Sequence, residues 1–265
     1  MYAKRSLAKT ADEGRETGTK SLPAYRIMSC EKYFAVVFLI QMRMKEGDWT
    51  MTKSELYMLL EEMTPGSTML NSSDDPAWFA HRKAEKLDDL SLLHMLRETI
   101  EEHSKKSEKE LRRNAYFVMA KLLVKIENPE YCQFLIESLG RETDRYVLSA
   151  MLDSIGWLRL PQEMNIDAVV KCSKDSKWLI RHSAIHALRA SSTDASREAL
   201  RYWVGQEDER KYKFELIYAH AALGEIGTEA DIALLEQHVY SRIRDVRDTA
   251  AYAIENIRRR TSLRQ

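Results

Sequence analysis

The chain has 265 residues, of which 44% are hydrophobic and 31% charged, and 41 basic side chains balance 41 acidic ones. This apolar fraction is enough for a substantial core and excludes a chain that is disordered throughout. The balanced charge disfavours a protein built mainly to neutralise nucleic-acid phosphates or an anionic membrane. Three cysteines, Cys30, Cys132 and Cys172, are odd in number and far apart. Such usage is typical of a reducing compartment, so a cytoplasmic location is predicted.

Residues 1–27 mix basic and acidic side chains without an apolar central segment, so a disordered N-terminal extension is predicted there. The longest strongly apolar run, YFAVVFLIQM, occupies residues 33–42 and is closed by Lys32 and Arg43. It is well short of the roughly 18 residues that a membrane span needs. The run therefore predicts a buried helix over about residues 31–45 and no membrane anchor.

Residues 28–109 predict an N-terminal helical region. Glycine and proline are scarce, and apolar positions recur at intervals of three and four rather than two. The sequence TKSE at residues 52–55 is a capping box that predicts a helix start, and Asp75 followed by Pro76 predicts another. A further helix is predicted over about residues 89–103. This region is either a set of divergent repeats or a separate helical cap.

Residues 110–265 repeat one pattern, with a small or apolar anchor residue in each copy. The anchors are Ala115, Met151, Ala184, Ala219 and Ala250. Their separations of 36, 33, 35 and 31 residues each hold two helices of about a dozen residues and two short turns, the size of a helical-hairpin solenoid unit. A single hairpin cannot bury its apolar stripe alone, so each copy is expected to cover the next. An all-α fold is therefore predicted.

Two stretches of this repeat resemble a known family. VRDTAAYAIENI at residues 246–257 and ELIYAHAALGEIG at residues 215–227 are similar to the short HEAT-like repeat of phycobiliprotein lyases and many bacterial scaffold proteins, whose pattern is Val-Arg-x-x-Ala-Ala-x-Ala-Leu-Gly-x-Ile-Gly. The copy anchored at Ala184 keeps the arginine as Arg181. The resemblance covers about residues 110–260 and implies a right-handed α-solenoid of about five HEAT-like hairpins. It implies little about function, because such folds host unrelated activities.

The same resemblance implies a concave groove lined by the anchored helices. In this family the positions two and one before the anchor, and two and six after it, point into the groove. Carried over, these are Arg113, Asn114, Phe117, Lys121, Ser149, Ala150, Asp153, Trp157, His182, Ser183, His186, Ala190, Ile217, Tyr218, Ala221, Glu225, Asp248, Thr249, Tyr252 and Asn256. The candidate partner-binding residues among them are Arg113, Phe117, Lys121, Asp153, Trp157, His182, His186, Tyr218, Tyr252 and Asn256. Large rigid rings favour recognition, although such aromatic side chains also cover helix ends.

No metal, cofactor or catalytic residue is predicted. His182 and His186 are four apart, as in a zinc pair, but a third ligand is missing and Ser183 stands where a HExxH motif has its glutamate. HEAT-like di-iron enzymes such as deoxyhypusine hydroxylase use repeated His-Glu pairs, and no histidine here is followed directly by glutamate. Gly-rich phosphate loops, nucleophile elbows and CxxC pairs are also absent from the sequence.

Two functions remain open. The first is a non-catalytic scaffold or adaptor that binds a protein partner in its groove. The alternative is a HEAT-like DNA-binding protein or repair enzyme of the alkylpurine glycosylase type, with Asp153 as acid or base and with Trp157 and Tyr218 cradling a base, near Arg113, Lys121 and Arg181. That family places an aspartate four residues after a tryptophan, and no tryptophan here has one. Residues 111–265 also carry 24 Lys plus Arg against 22 Asp plus Glu, a balance of only +2, which disfavours nucleic acid.

Overall fold

The computed structural model describes residues 50–66 and 75–263, which belong to one compact unit. Regular structure in these two ranges is helical, with no strand. The predicted extension over residues 1–27 and the predicted helix over residues 31–45 lie outside them. Among the helices described, none is both long and apolar enough to pass through a membrane.

Twelve α-helices follow one another along the described chain. They are α1 (Lys53–Glu62), α2 (Pro76–Ala84), α3 (Leu92–Glu102), α4 (Lys109–Lys125), α5 (Pro129–Ser138), α6 (Arg145–Ile155), α7 (Asp167–Cys172), α8 (Trp178–Ala187), α9 (Asp194–Val204), α10 (Lys213–Ile226), α11 (Ile232–Glu236) and α12 (Arg244–Ser262). Short 3-10 turns occupy Lys106–Glu108, Leu188–Ala190 and Glu229–Asp231.

The predicted helix starts in the first part are confirmed. The backbone N–H of Thr52 donates to the Glu55 carboxylate at 2.9 Å, and the Thr52 hydroxyl accepts from the Glu55 N–H at 3.3 Å, which completes the capping box before α1. The carboxylate of Asp75 accepts from the N–H of Ala77 at 2.9 Å before α2. Helix α3 buries the apolar side chains expected of it, Leu92, Leu93, Leu96 and Ile100.

The helices of the second part form two layers. Helices α4, α6, α8, α10 and α12 pack each on the next, and α5, α7, α9 and α11 alternate with them in a second layer. Contacts within the first layer are more extensive than those within the second. We call the first layer the inner layer, because the resemblance to HEAT-like repeats implies that the anchored helices line the concave side. This arrangement is an α-solenoid of helical hairpins, and the all-α prediction is confirmed.

The first three helices pack onto the start of the solenoid. Helix α1 contacts α4 in the inner layer, and α3 packs along α4. Helix α2 follows α1 and contacts it. The division into a region 28–109 and a repeat region 110–265 stays a prediction.

The anchor residues occupy equivalent buried places in the five inner helices. Ala115, Ala184, Ala219 and Ala250 are 0% exposed, and Met151 is 2% exposed. Small residues on facing surfaces let consecutive helices approach closely. At Gly224 of α10, for example, an added Cβ would lie 3.1 Å from the Cα of Ala253 on α12.

Ion pairs join successive inner helices near their N-terminal ends. Arg112 of α4 donates two hydrogen bonds to Glu142, at 2.9 and 3.1 Å, and also to backbone carbonyls of the loop before α4. Arg181 of α8 donates to Glu215 of α10 at 2.7 Å and likewise to carbonyls of its preceding loop. Two further pairs lie along the same ends, Lys109 with Asp144 at 3.0 Å and Lys213 with Asp245 at 2.6 Å. Each arginine thus donates hydrogen bonds to carbonyls of its own preceding loop and also links its helix to the next repeat.

Candidate partner-binding groove

Several of the predicted side chains meet in one groove at the start of the inner layer. It has a volume of about 450 Å³ and lies between α2, α4 and α6. The predicted residues that line it are Arg113, Phe117, Lys121, Asp153 and Trp157, and α2 adds His81. Its volume is within the range of ~300–1,000 Å³ usual for ligand sites.

The two basic side chains of this groove are already paired with acids. Arg113 lies 2.8 Å from the Glu110 carboxylate, one turn earlier on α4. The ammonium of Lys121 lies 3.5 Å from the Glu85 carboxylate and 5.2 Å from the centre of the Phe117 ring. Both charges are therefore largely balanced before any ligand binds.

Asp153 is the acidic group of the groove. It is open to solvent, and no lysine or arginine in the described chain forms an ion pair with it. The protein walls around it displace water and raise the pKa of its carboxyl, while the Ser183 hydroxyl lowers the pKa in part. Asp153 is thus a solvent-accessible carboxylate that lacks a cationic partner and is less fully hydrated than a free carboxylate.

Trp157 is held in place from the side of α8. Its indole is 63% exposed, and the Arg189 guanidinium lies 4.2 Å from the ring centre. Arg189 also donates to the carbonyl of Gly156 at 2.8 Å. The ring of His186 meets Trp157 edge-on at a centroid distance of 5.7 Å. Burial, with a smaller effect of Arg189, lowers the pKa of His186 to about 4, so this histidine is neutral at physiological pH.

A second aromatic cluster joins α8 and α10. The ring of His182 lies 5.5 Å from Trp178, 5.8 Å from Phe214 and 5.6 Å from Tyr218, measured between centroids. Its Nε2 is 3.2 Å from the Glu215 carboxylate. Burial lowers the pKa of His182 by more than this carboxylate raises it. Trp178 and Phe214 are more than half exposed, so the cluster presents apolar surface to solvent.

His182 and His186, whose spacing matches that of a zinc pair, have separate partners. His182 faces the Glu215 carboxylate, whereas His186 packs on Trp157. Across residues 50–66 and 75–263, no group of three His, Cys, Asp or Glu side chains could hold a metal ion.

The last inner helix carries the remaining two predicted residues. Tyr252 is 61% exposed on α12. Asn256, one turn further, is half-buried and accepts a hydrogen bond from Arg259 at 3.1 Å. These side chains lie on a different inner helix from those that line the groove beside α2, but in the same layer.

Four of the twenty positions implied to face the groove are buried between helices, although Asn114 still borders the groove. Asn114 is 1% exposed and donates to the carbonyl of Leu60 at 2.9 Å, which ties α4 to α1. The hydroxyls of Ser149 and Ser183 are 2.8 Å apart and link α6 to α8. Ala190 is buried in a 3-10 turn. Small or amide side chains at these places contact the neighbouring helix because they fit between the helices and their polar groups pair there.

Exposed rings that the repeat pattern did not single out extend the aromatic surface. Tyr146, Trp178 and Phe214 are 53%, 62% and 56% exposed on the first turns of α6, α8 and α10. Tyr146 and Phe214 stand seven residues, or two helical turns, before the predicted groove positions Asp153 and Ala221. That spacing places them on the same helix face, so these rings could have been identified from the sequence.

Comparisons with known proteins give similarity only at the level of solved structures. No protein-family model matches the sequence, and no curated protein matches it. A designed armadillo repeat protein, YIII(Dq)4CqI, superposes with a TM-score of 0.41 and 16% identity, over 77% of this chain and 100% of that one. An engineered protein superposes with a TM-score of 0.43 and 17% identity, over 77% and 97%. At these TM-scores the two comparisons carry no argument about the fold. The α-solenoid is established by this chain's own helix order and packing.

Proposed function

We propose that this chain is a non-catalytic scaffold or adaptor that holds an extended segment of a partner protein along its inner helices. The observation that carries this proposal is a series of exposed rings on consecutive inner helices, namely Tyr146, Trp157, Trp178, Phe214, Tyr218 and Tyr252. Exposed rings that are grouped together, as Trp178, Phe214 and Tyr218 are around His182, are typical of interaction sites. Rings of this kind are also enriched among the residues that dominate protein interfaces.

The finer type of the repeat belongs to the same proposal. A HEAT-like repeat of the phycobiliprotein-lyase kind is supported by the shared arginine three residues before the anchor, present as Arg181 and Arg247, whose guanidinium groups donate to carbonyls of the preceding loops. A cytoplasmic location is supported by Cys132 and Cys172, which are free thiols.

The DNA-repair alternative has one observation in its favour, because Asp153 and Trp157 line the same groove. Tyr218, its third residue, belongs instead to the cluster around His182. The cations that would meet phosphates are each bound to a carboxylate of this chain, Arg113 to Glu110, Lys121 to Glu85 and Arg181 to Glu215. Phosphate binding would have to displace these acids, so a protein segment is the better occupant.

Selection from a library of random peptides displayed on phage tests the scaffold function. We expect peptides that bind the full chain and bind at least about tenfold more weakly to the double variant Trp157→Ala, Tyr252→Ala. The matched control is Tyr240→Ala, which removes a ring that is 90% exposed between α11 and α12 and should not change binding.

Two results would overturn this function. One is a selection that yields no peptide sensitive to the double variant. The other is binding of a labelled alkylated DNA duplex at about 50 mM salt, together with an activity on it that Asp153→Asn abolishes without unfolding the chain. The second result would establish the repair alternative.

A further inference from the structure

The groove between α2, α4 and α6 differs from the rest of the aromatic surface in its charge. The side chains that line it or hold its tryptophan carry three cations, each bound to a carboxylate. These are Arg113 with Glu110, Lys121 with Glu85, and Arg189 with Glu225. Asp153 is the fourth carboxylate and has no cation. Glu85 also pairs with Arg82 at 2.8 Å, so the charges of these groups balance as a whole, and what is missing is a positive charge beside Asp153.

Neither histidine beside this carboxylate supplies the missing positive charge. His81 lines the groove, and burial, aided by nearby Arg113, lowers its pKa despite a backbone hydrogen bond that acts in the opposite direction. His186 behind Trp157 is likewise neutral at physiological pH. The groove therefore presents a single uncompensated carboxylate to an incoming group.

The side chains that line the groove favour one class of ligand group over the others. An anionic group would face Asp153 and would have to break an existing ion pair to find a cation. A purely apolar group would fit the rings but would cover the carboxylate and leave it desolvated without a partner. A cation with an apolar stem satisfies both features, because its charge pairs with the carboxylate and its methylene groups pack on Phe117 and Trp157.

We propose that this end of the groove is a subsite for one basic side chain, arginine or lysine, of the bound protein segment. The Asp153 carboxylate pairs with the cationic head group, and the rings of Phe117 and Trp157 enclose the stem. The inference rests on the proposed scaffold function and adds the chemical class of the partner at one position. It requires no movement of the ion pairs that line the groove.

The test is a coupling measurement on peptides selected by the full chain. Each selected peptide is compared with a copy in which a basic residue is replaced by citrulline, for arginine, or norleucine, for lysine. Both copies are titrated against the wild type and against Asp153→Asn. We expect one basic position whose replacement weakens binding to the wild type by about tenfold or more but has little effect on binding to Asp153→Asn. A selection on Asp153→Lys should lose the preference for a basic residue.

Asp248→Asn is the matched control, because Asp248 is an exposed carboxylate at the other end of the inner layer, on α12. The coupling should persist in this variant. Peptides that require the groove but show no basic position coupled to Asp153 would overturn the inference and leave the scaffold function standing. A selection that yields no groove-dependent peptide overturns both. Since the peptide replacements are also measured on the wild type, poor folding of an Asp153 variant cannot hide a negative result.

Discussion

The imidazole of His186 lies so close to Gly156 that a methyl group added at position 156 would overlap its Nδ1 and Cε1 atoms. Gly156 has φ −58° and ψ −16°, an ordinary helical conformation, so the glycine is needed for space and not for backbone freedom. The same imidazole contacts Trp157. The missing Cβ of Gly156, at the C-terminal end of α6, thus helps to fix the exposed ring of Trp157.

Gly156→Ala should therefore destabilise the fold by about 1–3 kcal/mol through overpacking. The His186 ring cannot turn away without disturbing Trp157. Urea unfolding measures the change. In a His186→Ala background the overlap is absent, and the same substitution should be neutral or stabilising by about 0.4–1 kcal/mol. Equal destabilisation in both backgrounds would show that the contact is not the cause.

Enlarging a buried anchor should be far more costly than enlarging its exposed neighbour. Ala219 is 0% exposed where α10 meets the adjoining inner helices, whereas Ala221 on the same helix is exposed. We expect Ala219→Leu to lower the free energy of unfolding by about 1–3 kcal/mol and Ala221→Leu to change it by less than about 0.5 kcal/mol. Similar values for the two variants in urea unfolding would argue against the stacking of inner helices.

Removing Arg181 should be strongly destabilising near neutral pH. The Glu215 side chain is 3% exposed, and Arg181→Gln would leave it buried without its guanidinium, at a cost of about 3–5 kcal/mol. Arg244→Gln breaks a pair whose side chains are 83% and 53% exposed, and should cost about 0–1 kcal/mol. An effect of Arg181→Gln no larger than that of Arg244→Gln would contradict the prediction.

The cost of Arg181→Gln should also depend on pH. Burial alone would raise the pKa of Glu215, but its hydrogen bonds with Arg181 and the nearby charges lower the pKa below the ordinary 4.5. A carboxylate with a lowered pKa stabilises the fold above its unfolded-state pKa and loses that contribution as the pH falls through its folded-state pKa. The difference between wild type and variant should therefore shrink below about pH 4.5 in unfolding curves recorded across the acid range.

His220 should make the fold less stable in mild acid. It is fully buried, its Nδ1 lies 3.1 Å from the Thr249 hydroxyl, and burial, followed by the nearby His238, lowers its pKa from 6.5 to about 3. Between these values the unfolded chain binds a proton that the folded chain does not, so stability falls as the pH is lowered. The slope contributed by this group is at most about 1.4 kcal/mol per pH unit.

Replacement of His220 by glutamine tests this contribution. The variant should show a shallower decline in the free energy of unfolding between pH 6.5 and 3 than the wild type does. His94→Gln, which removes a histidine whose side chain is 71% exposed, is the control for loss of an imidazole outside the core. Identical slopes for the wild type and His220→Gln would rule out the buried histidine as the source.

The repeat pattern predicted the inner layer well, because its signal is steric. Small side chains are favoured where these helices touch, and Ala184, Ala219 and Ala250 are buried there. Spacing alone does not choose between the adjacent Thr193 and Asp194 as the N-cap of α9. Thr193, not Asp194, is the N-cap of α9, since its hydroxyl accepts from the N–H of Ser196 at 3.3 Å. Both residue types cap helices well, and adjacent candidates compete on loop geometry that spacing does not specify.

The groove was less predictable, for two physical reasons. A repeat template predicts the direction in which a side chain leaves its helix but not how closely the neighbouring helix packs there. Ser149 and Ser183, both implied to face the groove, are therefore buried between helices. Contacts between distant segments also have no periodic signal. His81, which lines the groove with Asp153, comes from α2, ahead of the stretch in which the repeat pattern was recognised.

Small side chains at the junctions between successive inner helices affect how the surface can adapt to partners of different width. A change in curvature must be shared among the four junctions from α4 to α12, so each helix tilts by only a fraction of the total. Smooth, small side chains at the junctions permit such slight tilts without opening cavities. We therefore expect a change in curvature to be distributed over these junctions and not concentrated at a single hinge.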